Sequence, residues 1–318
     1  MASPDFTPIG LEWAAHDVID HGTEWWTAWN FDAQFLIPIA LVGFWYARGL
    51  RRWPERSREH PTWRVVSYYA GLVVLLLAFE SPLDRLGEHQ FSMHMIQHNV
   101  VMMFVPPLIL LGAPTTPMLR GIPRWLRQGV VRPVAGNVVA REVYRVVTFP
   151  IVAMALFVVA QWGWHLYPGL YDRALNEDWL HNLQHASFLL VAMIFWWNII
   201  DPKPLHSRIP PLARILYFYG AMIPKHILAA FIVFADKPFY PTYERVHRFL
   251  PGSPIEDQQL AGLLMWVPFG ELLNLITAGI ILGFWFKRGN DEQLAKEAAE
   301  DALAASQAAS RAAAGSTG

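Results

Sequence analysis

Seven stretches of this chain are long and apolar enough to cross a bilayer, and no other feature so narrows what it can fold into. A spanning helix needs roughly 20 mainly apolar residues. The stretches fall at 33–50, 63–80, 92–111, 146–164, 183–200, 213–235 and 260–286. Inside hydrocarbon every backbone N–H and C=O must be paired within the protein, and a helix pairs them within one segment. The first stretch is short and contains Pro38, but a lipid-facing irregular alternative would leave backbone groups unpaired, so it too reads as a span. Composition agrees, with 54% of residues hydrophobic and only 16% charged, against about 25% charged in a typical soluble domain. The expected fold is all-α: a polytopic membrane protein whose seven-transmembrane-helix bundle occupies residues 33–286.

Lys and Arg sort into alternate connections. Arg48, Arg51, Arg52, Arg56, Arg58 and Arg64 lie between spans 1 and 2, and Arg120, Arg124, Arg127, Arg132, Arg141 and Arg145 between spans 3 and 4. Lys203, Arg208 and Arg214 follow between spans 5 and 6, and Lys287 and Arg288 come after span 7. The opposite side carries only Arg85, Arg173, Lys237, Arg245 and Arg248, and residues 1–33 hold neither Lys nor Arg. The positive-inside rule therefore predicts an outside N-terminus and a cytoplasmic C-terminus. Residues 1–32, with Trp13, Trp25, Trp26 and Trp29, read as an outer-face interfacial segment. Residues 287–318 read as an Ala-rich cytoplasmic tail without catalytic content. The first ten residues show no basic region leading into an apolar core, so no cleavable signal peptide is expected. The connection 112–145 has room for a short amphipathic helix. A net charge of −1 argues neither for nor against a charged partner as a whole, and no nucleic-acid partner is expected.

The chemistry concentrates in two segments, His94-Met-Ile-Gln-His98 and His181-Asn-Leu-Gln-His185. Histidines four apart on a helix stack on one face, the spacing that clamps one metal ion between two side chains of a single helix. Spans 3 and 5 run in the same direction, so both pairs enter the membrane at similar depth. Ten of the 12 histidines (16, 21, 89, 94, 98, 165, 181, 185, 226 and 247) fall on the expected outer side, leaving His60 and His206 on the other. Ionisable groups in a bilayer are costly and face a bundle interior or a wet cavity. With no cysteine, neither a disulfide framework nor a thiolate site is open to this chain.

We therefore take His94, His98, His181 and His185 as candidate metal ligands, with His165, His226 and Asp257 as nearby candidates. Gln97 and Gln184 read equally as partners that fix an imidazole tautomer or as ordinary interhelical hydrogen bonds. Met102 shares the face of His94 and His98, and reads either as a thioether donor suited to Cu(I) or, more readily, as packing. Glu80 and Asp257 stand at span ends; Glu271 lies deeper, where it can pair with another polar group.

Four motifs in order, HMIQHNVVMMFVPPLILLGAP, WHLYPGLYDRAL followed by HNLQH and FWW, and DQQLAGLLMWVP, resemble the CtaG family of caa3-type cytochrome c oxidase assembly factors. The resemblance runs from about Trp29 to Phe286 and covers His94, His98, His165, His181, His185, Asp257 and Gln258. One departure is Phe269, where a glycine is expected directly after Pro268; this leaves the register of a kink there open. The resemblance implies a bacterial plasma-membrane protein that helps mature a haem–copper oxidase. Its implied partners are cytochrome c oxidase subunits or other assembly factors.

The leading expectation is a non-enzymatic assembly factor that binds copper at an outer-leaflet histidine site and passes it on. A haem-binding or electron-transfer protein is the second reading, because imidazoles from two facing helices suit haem iron. A metal or proton transporter is the third, opposed by the almost purely apolar inner halves of spans 3 and 5. A di-metal hydrolase or desaturase, which would need more ligands, is the fourth.

Overall fold

In the computed structural model residues 27–54, 60–167, 169–202, 207–210, 212–249, 251–283 and 286 are described. The expectations for residues 1–26 and for the tail 287–318 lie outside them. Among the described residues all regular structure is helical: α1 (Ala33–Arg51), α2 (Thr62–Glu80), α3 (Pro82–His89), α4 (Phe91–Met103), α5 (Val105–Leu111), α6 (Thr115–Gly121), α7 (Val138–Val147), α8 (Pro150–Leu166), α9 (Leu170–Asn176), α10 (Asp178–Ile200), α11 (Ala213–Val233) and α12 (Pro254–Trp266).

Six units are long and apolar enough to span: α1, α2, the run Phe91–Leu111 formed by α4 and α5, α10, α11, and the run Pro254–Gly283 that α12 opens. The expected fourth crossing corresponds to α8, which has 17 residues and reaches span length only together with α7, from which it is bent by 71°; the described helices thus number six spans, or seven when this bent pair is counted as one. α10 begins at Asp178 and α12 at Pro254, ahead of the expected 183 and 260. The extra turns carry polar residues, which a hydropathy reading trims although the backbone stays helical.

Prolines break several of these helices, and neighbouring side chains repair the gaps. Pro106 lacks the N–H that would bond the Met102 carbonyl, and the Trp196 indole donates to that carbonyl instead, at 2.9 Å. Around Pro268 the last span widens into a π-helical turn, Val267–Leu272, and buried Lys225 donates to the Phe269 carbonyl at 2.8 Å. Gly270, one residue beyond the position expected for a glycine, packs so closely on His226 that a Cβ there would meet its ring at 2.7 Å.

The N-terminal ends of α1, α4, α10 and α12 meet the C-terminal ends of α2, α8 and α11 at one end of the bundle. Cross-connections tie that end together: Glu80 accepts from the Asp32 backbone N–H (3.0 Å), Gln258 donates to the Ile232 carbonyl (3.3 Å) and Tyr240 donates to the His165 carbonyl (3.2 Å). Below this polar end lies an aromatic core in which Phe157 stacks on Phe195 at 4.4 Å and Phe195 on Tyr217 at 5.0 Å. At the opposite, arginine-rich end α6 folds back on α1. A Cβ on Gly49 would overlap the Pro117 carbonyl oxygen, and one on Gly121 the Trp45 carbonyl oxygen. Small residues allow such backbone-to-backbone approach between membrane helices. The Gly49→Ala and Gly121→Ala variants should each lose about 1–3 kcal/mol through overpacking, read as a lowered apparent Tm in detergent; unchanged melting would contradict this close contact.

Candidate metal centre

α4 and α10 pack with their histidine faces together. Ring centroids lie 4.2 Å apart for His94 and His98, 4.4 Å for His181 and His185, 4.8 Å for His98 and His185, and 5.1 Å for His94 and His181. His181 Nε2 is 2.8 Å from His185 Nε2 and 3.3 Å from His94 Nε2. Nitrogens of His94, His98 and His185 all fall within 4.8 Å of one another. A fifth ring, His165 at the end of α8, stands 6.3 Å from His98. His94, His98, His165 and His185 are buried, while His181 is half-buried and the most exposed of the five.

Hydrogen bonding assigns two tautomers. His165 Nδ1 is 2.7 Å from the Gln161 carbonyl. A carbonyl only accepts, so Nδ1 carries the hydrogen and Nε2 keeps a lone pair. His94 Nδ1 is 2.8 Å from the Tyr243 hydroxyl, which itself donates to the Gly87 carbonyl at 3.0 Å. With its one hydrogen committed there, Tyr243 accepts from His94 Nδ1–H, and His94 Nε2 keeps the lone pair that faces His181. Carbonyl and hydroxyl partners of this kind orient imidazoles that hold metals.

The remaining ring nitrogens carry the argument further. Both nitrogens of His98, Nε2 of His165 and Nδ1 of His185 are buried without a hydrogen-bond partner. Each such group costs about 1–3 kcal/mol when left unmade, and an unsatisfied buried group points to an ion or a water. A metal holds imidazole nitrogen at 2.0–2.1 Å, which places tetrahedral ligands about 3.3 Å from each other. The His94–His181 Nε2 separation of 3.3 Å matches that spacing, whereas the 2.8 Å between His181 and His185 is a direct hydrogen-bond contact; with the nitrogens of His94, His98 and His185 gathered within 4.8 Å, these residues can hold a metal ion.

The other expected site residues take different places. Asp257 accepts from the Phe91 N–H (2.8 Å), the Ser92 N–H (3.4 Å) and the Ser92 hydroxyl (2.5 Å). It therefore caps the first turn of α4, whose own N-cap residue Gln90 makes no side-chain cap. Glu80 does the equivalent for α1 through Asp32. Gln97 donates to the Ala78 carbonyl (2.9 Å) and to Asp84 (2.6 Å), an interhelical tie rather than a contact to an imidazole. Gln184 is buried, and neither side-chain atom has a partner. Met102 belongs to the apolar cluster with Phe157, Phe188 and Phe195. His226 pairs with Glu271 at 3.3 Å on the π turn.

Residues that the spacing argument passed over complete the centre. Tyr243 lies in a single helical turn, Thr242–Arg245, far from either histidine pair in sequence. Tyr171 on α9 faces His94, His98 and His165 at 5.6, 6.2 and 5.2 Å and stacks on Tyr240 at 4.2 Å; its one sequence signal is its place in the WHLYPGLYDRAL motif. Phe79 and Phe188 close the sides, at 5.1 Å from His185 and 4.9 Å from His98. Asp84, on α3 outside the spans, accepts from Gln97 and from Asn30 (2.9 Å). Burial pushes its carboxyl up to about 7, against the opposing hydrogen bond from Gln97.

Fold and site together define a multi-span helical membrane protein with an intramembrane imidazole cluster near one face. The chain belongs to the cytochrome c oxidase caa3 assembly factor family, whose model matches residues 44–288. It is also similar to an uncharacterized protein of Mycobacterium leprae, 28% identical over 275 residues, covering 82% of this chain and 40% of that protein. An uncharacterized protein of Mycobacterium bovis is 30% identical over 251 residues, covering 76% of this chain and 37% of its own. The chain thus spans about two fifths of the length of the curated relatives it matches. No solved structure matches it.

Two outcomes follow from the supports of this centre. The Asp84 carboxyl titrates higher in the folded chain than the ~3.9 of an unfolded one. Its stabilising contribution is therefore complete below about pH 4 and is lost as pH rises through about 7. Apparent Tm should fall over that range, and Asp84→Asn should flatten the fall; an unchanged slope in the variant would count against this assignment. Asp257→Ala should cost about 1–2 kcal/mol, as for loss of a helix cap, with faster hydrogen exchange confined to the first turn of α4.

Proposed function

We propose that this protein is a non-enzymatic copper-binding factor that serves the maturation of a haem–copper oxidase. In this reading His94, His98, His181 and His185 bind the ion, and His165 supplies a further imidazole from α8. The observation that carries it is the convergence of His94, His181 and His185 Nε2 atoms beside four partnerless nitrogens on His98, His165 and His185. Imidazole donors without thiolate suit copper, and a site with no cysteine holds it in a form open to ligand exchange. Membership in an oxidase assembly family supports the choice of recipient. The charge pattern of the connections supports a cluster facing outward, and the mycobacterial relatives support a bacterial plasma membrane. Copper is the cargo here, and the work of the chain is to desolvate, hold and release it.

The haem reading fits the geometry less well. A macrocycle needs an open slot between two axial imidazoles. Here the imidazole nitrogens nearly touch, and Phe79, Tyr171 and Phe188 close in around them. A through-membrane metal path also fits less well, because His98 rests on Phe188 and the apolar cluster beneath it.

The test is metal analysis with a visible spectrum on purified protein loaded with copper, beside the His94→Ala/His98→Ala variant. Stoichiometric copper in the parent, its loss in the variant, and no Soret band are expected. Absence of copper binding, together with full oxidase maturation in cells carrying the variant, would overturn the proposal. Tyr243→Phe removes only the hydroxyl that orients His94; copper affinity should fall about 10- to 100-fold while the chain still extracts and migrates as the parent does. Equal affinity would show that His94 needs no such orientation.

A further inference from the structure

At the arginine-rich end a cavity of about 560 Å³ opens between α1 and the segment that follows α6. Five guanidinium side chains line it, those of Arg48, Arg52, Arg120, Arg124 and Arg127, and no carboxylate stands among its described lining residues. None of the five is ion-paired with a described carboxylate. Arg127 gives one hydrogen bond, to the Leu119 carbonyl at 3.3 Å, and Arg120 lies over the Trp53 ring at 5.0 Å. Most of their donors are thus open to a ligand.

Five like charges repel, so something must hold them together. Backbone contacts do this: Gly49 of α1 lies against the Pro117 carbonyl, and Gly121 at the end of α6 against the Trp45 carbonyl. The first contact fixes the turn of α1 that presents Arg48 and Arg52 against the helix that presents Arg120. The second fixes the start of the segment that carries Arg124 and Arg127. Guanidinium stays charged at every accessible pH and offers paired N–H groups that match phosphate oxygens. A built cluster of this kind is complementary to a phosphate-bearing anion.

A second cavity of about 550 Å³ shares Arg120 and Arg127 and adds Arg132 and Gln128, with Leu119, Val131 and Ala135 as its apolar wall. Beside it Trp125, Val130 and Val134 are exposed, as suits side chains at a membrane interface. A cationic cavity continuing along an aliphatic wall beside exposed Trp125, Val130 and Val134 suits a phosphate that carries a hydrocarbon tail.

We infer that the Arg48–Arg52–Arg120–Arg124–Arg127 cavity is a binding site for a phosphate group. An anionic phospholipid would place its headgroup among these arginines and its tail along the adjoining cavity, and free pyrophosphate offers the same chemistry without a tail. This site is separate from the histidine cluster and does not depend on the copper reading.

The test uses the full chain in nanodiscs containing phosphatidylglycerol or only phosphatidylcholine, with retained lipid counted by native mass spectrometry after extraction. Delipidated protein is titrated with inorganic pyrophosphate in parallel. Each cation near an anionic surface contributes about 1 kcal/mol, a factor of about five. The Arg120→Gln/Arg124→Gln variant should therefore bind phosphatidylglycerol about 25-fold more weakly, and the single exposed-site Arg124→Gln about fivefold. Arg141→Gln/Arg145→Gln on α7, outside the cavity, should change little. Retained phosphatidylglycerol that the cavity variants lose assigns the lipid source; pyrophosphate binding that they lose, without lipid retention, assigns the soluble source. Equal losses in the α7 control, or no binding in either arm, would overturn the inference.

Discussion

Backbone groups left open inside an apolar bundle must find partners, and here they find them on neighbouring helices. Asp257 of α12 closes the first turn of α4, Trp196 of α10 closes the carbonyl that Pro106 abandons, and Lys225 of α11 closes a carbonyl of the π turn. Trp162 of α8 donates to the carbonyl of Pro224 within α11 at 3.2 Å. Water cannot serve these groups in hydrocarbon, so each repair costs several kcal/mol to lose. Such bonds are directional, and each therefore sets the axial register of one helix against another. Apolar side chains alone would tolerate sliding; a carboxylate that must meet two particular N–H groups does not.

That register is what brings the imidazoles into one layer. α4 is held at its entrance by Asp257 and at its broken end by Trp196, and His94 and His98 lie between these two anchors. Trp196 belongs to the same helix as His181 and His185, so the bond that repairs α4 also fixes the height of α10 beside it. Tyr243 and the Gln161 carbonyl then choose which nitrogen each of His94 and His165 presents. In both cases Nδ1 is engaged and Nε2 keeps its lone pair, directed on His94 toward His181 and without a partner on His165. Two unrelated partners thus produce the same donor atom on two helices, an arrangement that a purely packing role for these histidines does not require.

Much of this was legible in the chain. Hydrophobic length placed the crossings, and i, i+4 spacing placed each histidine pair on one face, because both signals are local and arise from helix geometry. The supports were not legible for the opposite reason. Tyr243 meets His94 across 149 residues and Asp257 meets Phe91 across 166, and no spacing rule connects positions that far apart. The two glutamines make the limit concrete. Gln97 and Gln184 stand in the same H-x-x-Q-H pattern, yet one ties α4 to Asp84 and the Ala78 carbonyl while the other has no partner. Identical local sequence met different neighbours. The boundaries of α10 and α12 moved outward for a related cause: polar residues such as Asp178, Asp257 and Gln258 lower hydropathy, but tertiary contacts or caps keep their backbone in the helix.

The polar groups are also distributed unevenly with depth, and that bears on how a cation could leave the proposed centre. His181 is the least buried of the five histidines, whereas beneath His98 the chain sets Phe188, Met102, Phe157 and Phe195, all buried in one apolar cluster. Lys225, His226 and Glu271 do lie in the membrane segments of α11 and the π turn, but they tie these two elements together: Lys225 donates to the Phe269 carbonyl, and His226 pairs with Glu271. A cation moving inward from His98 would have to shed imidazole ligands for aromatic carbon and then approach a buried amine. Moving outward it exchanges one imidazole for the next and reaches water at His181. The lower-energy route in and out is therefore the same opening, which is the behaviour expected of a site that receives and hands over an ion on one side of the membrane rather than one that conducts it across.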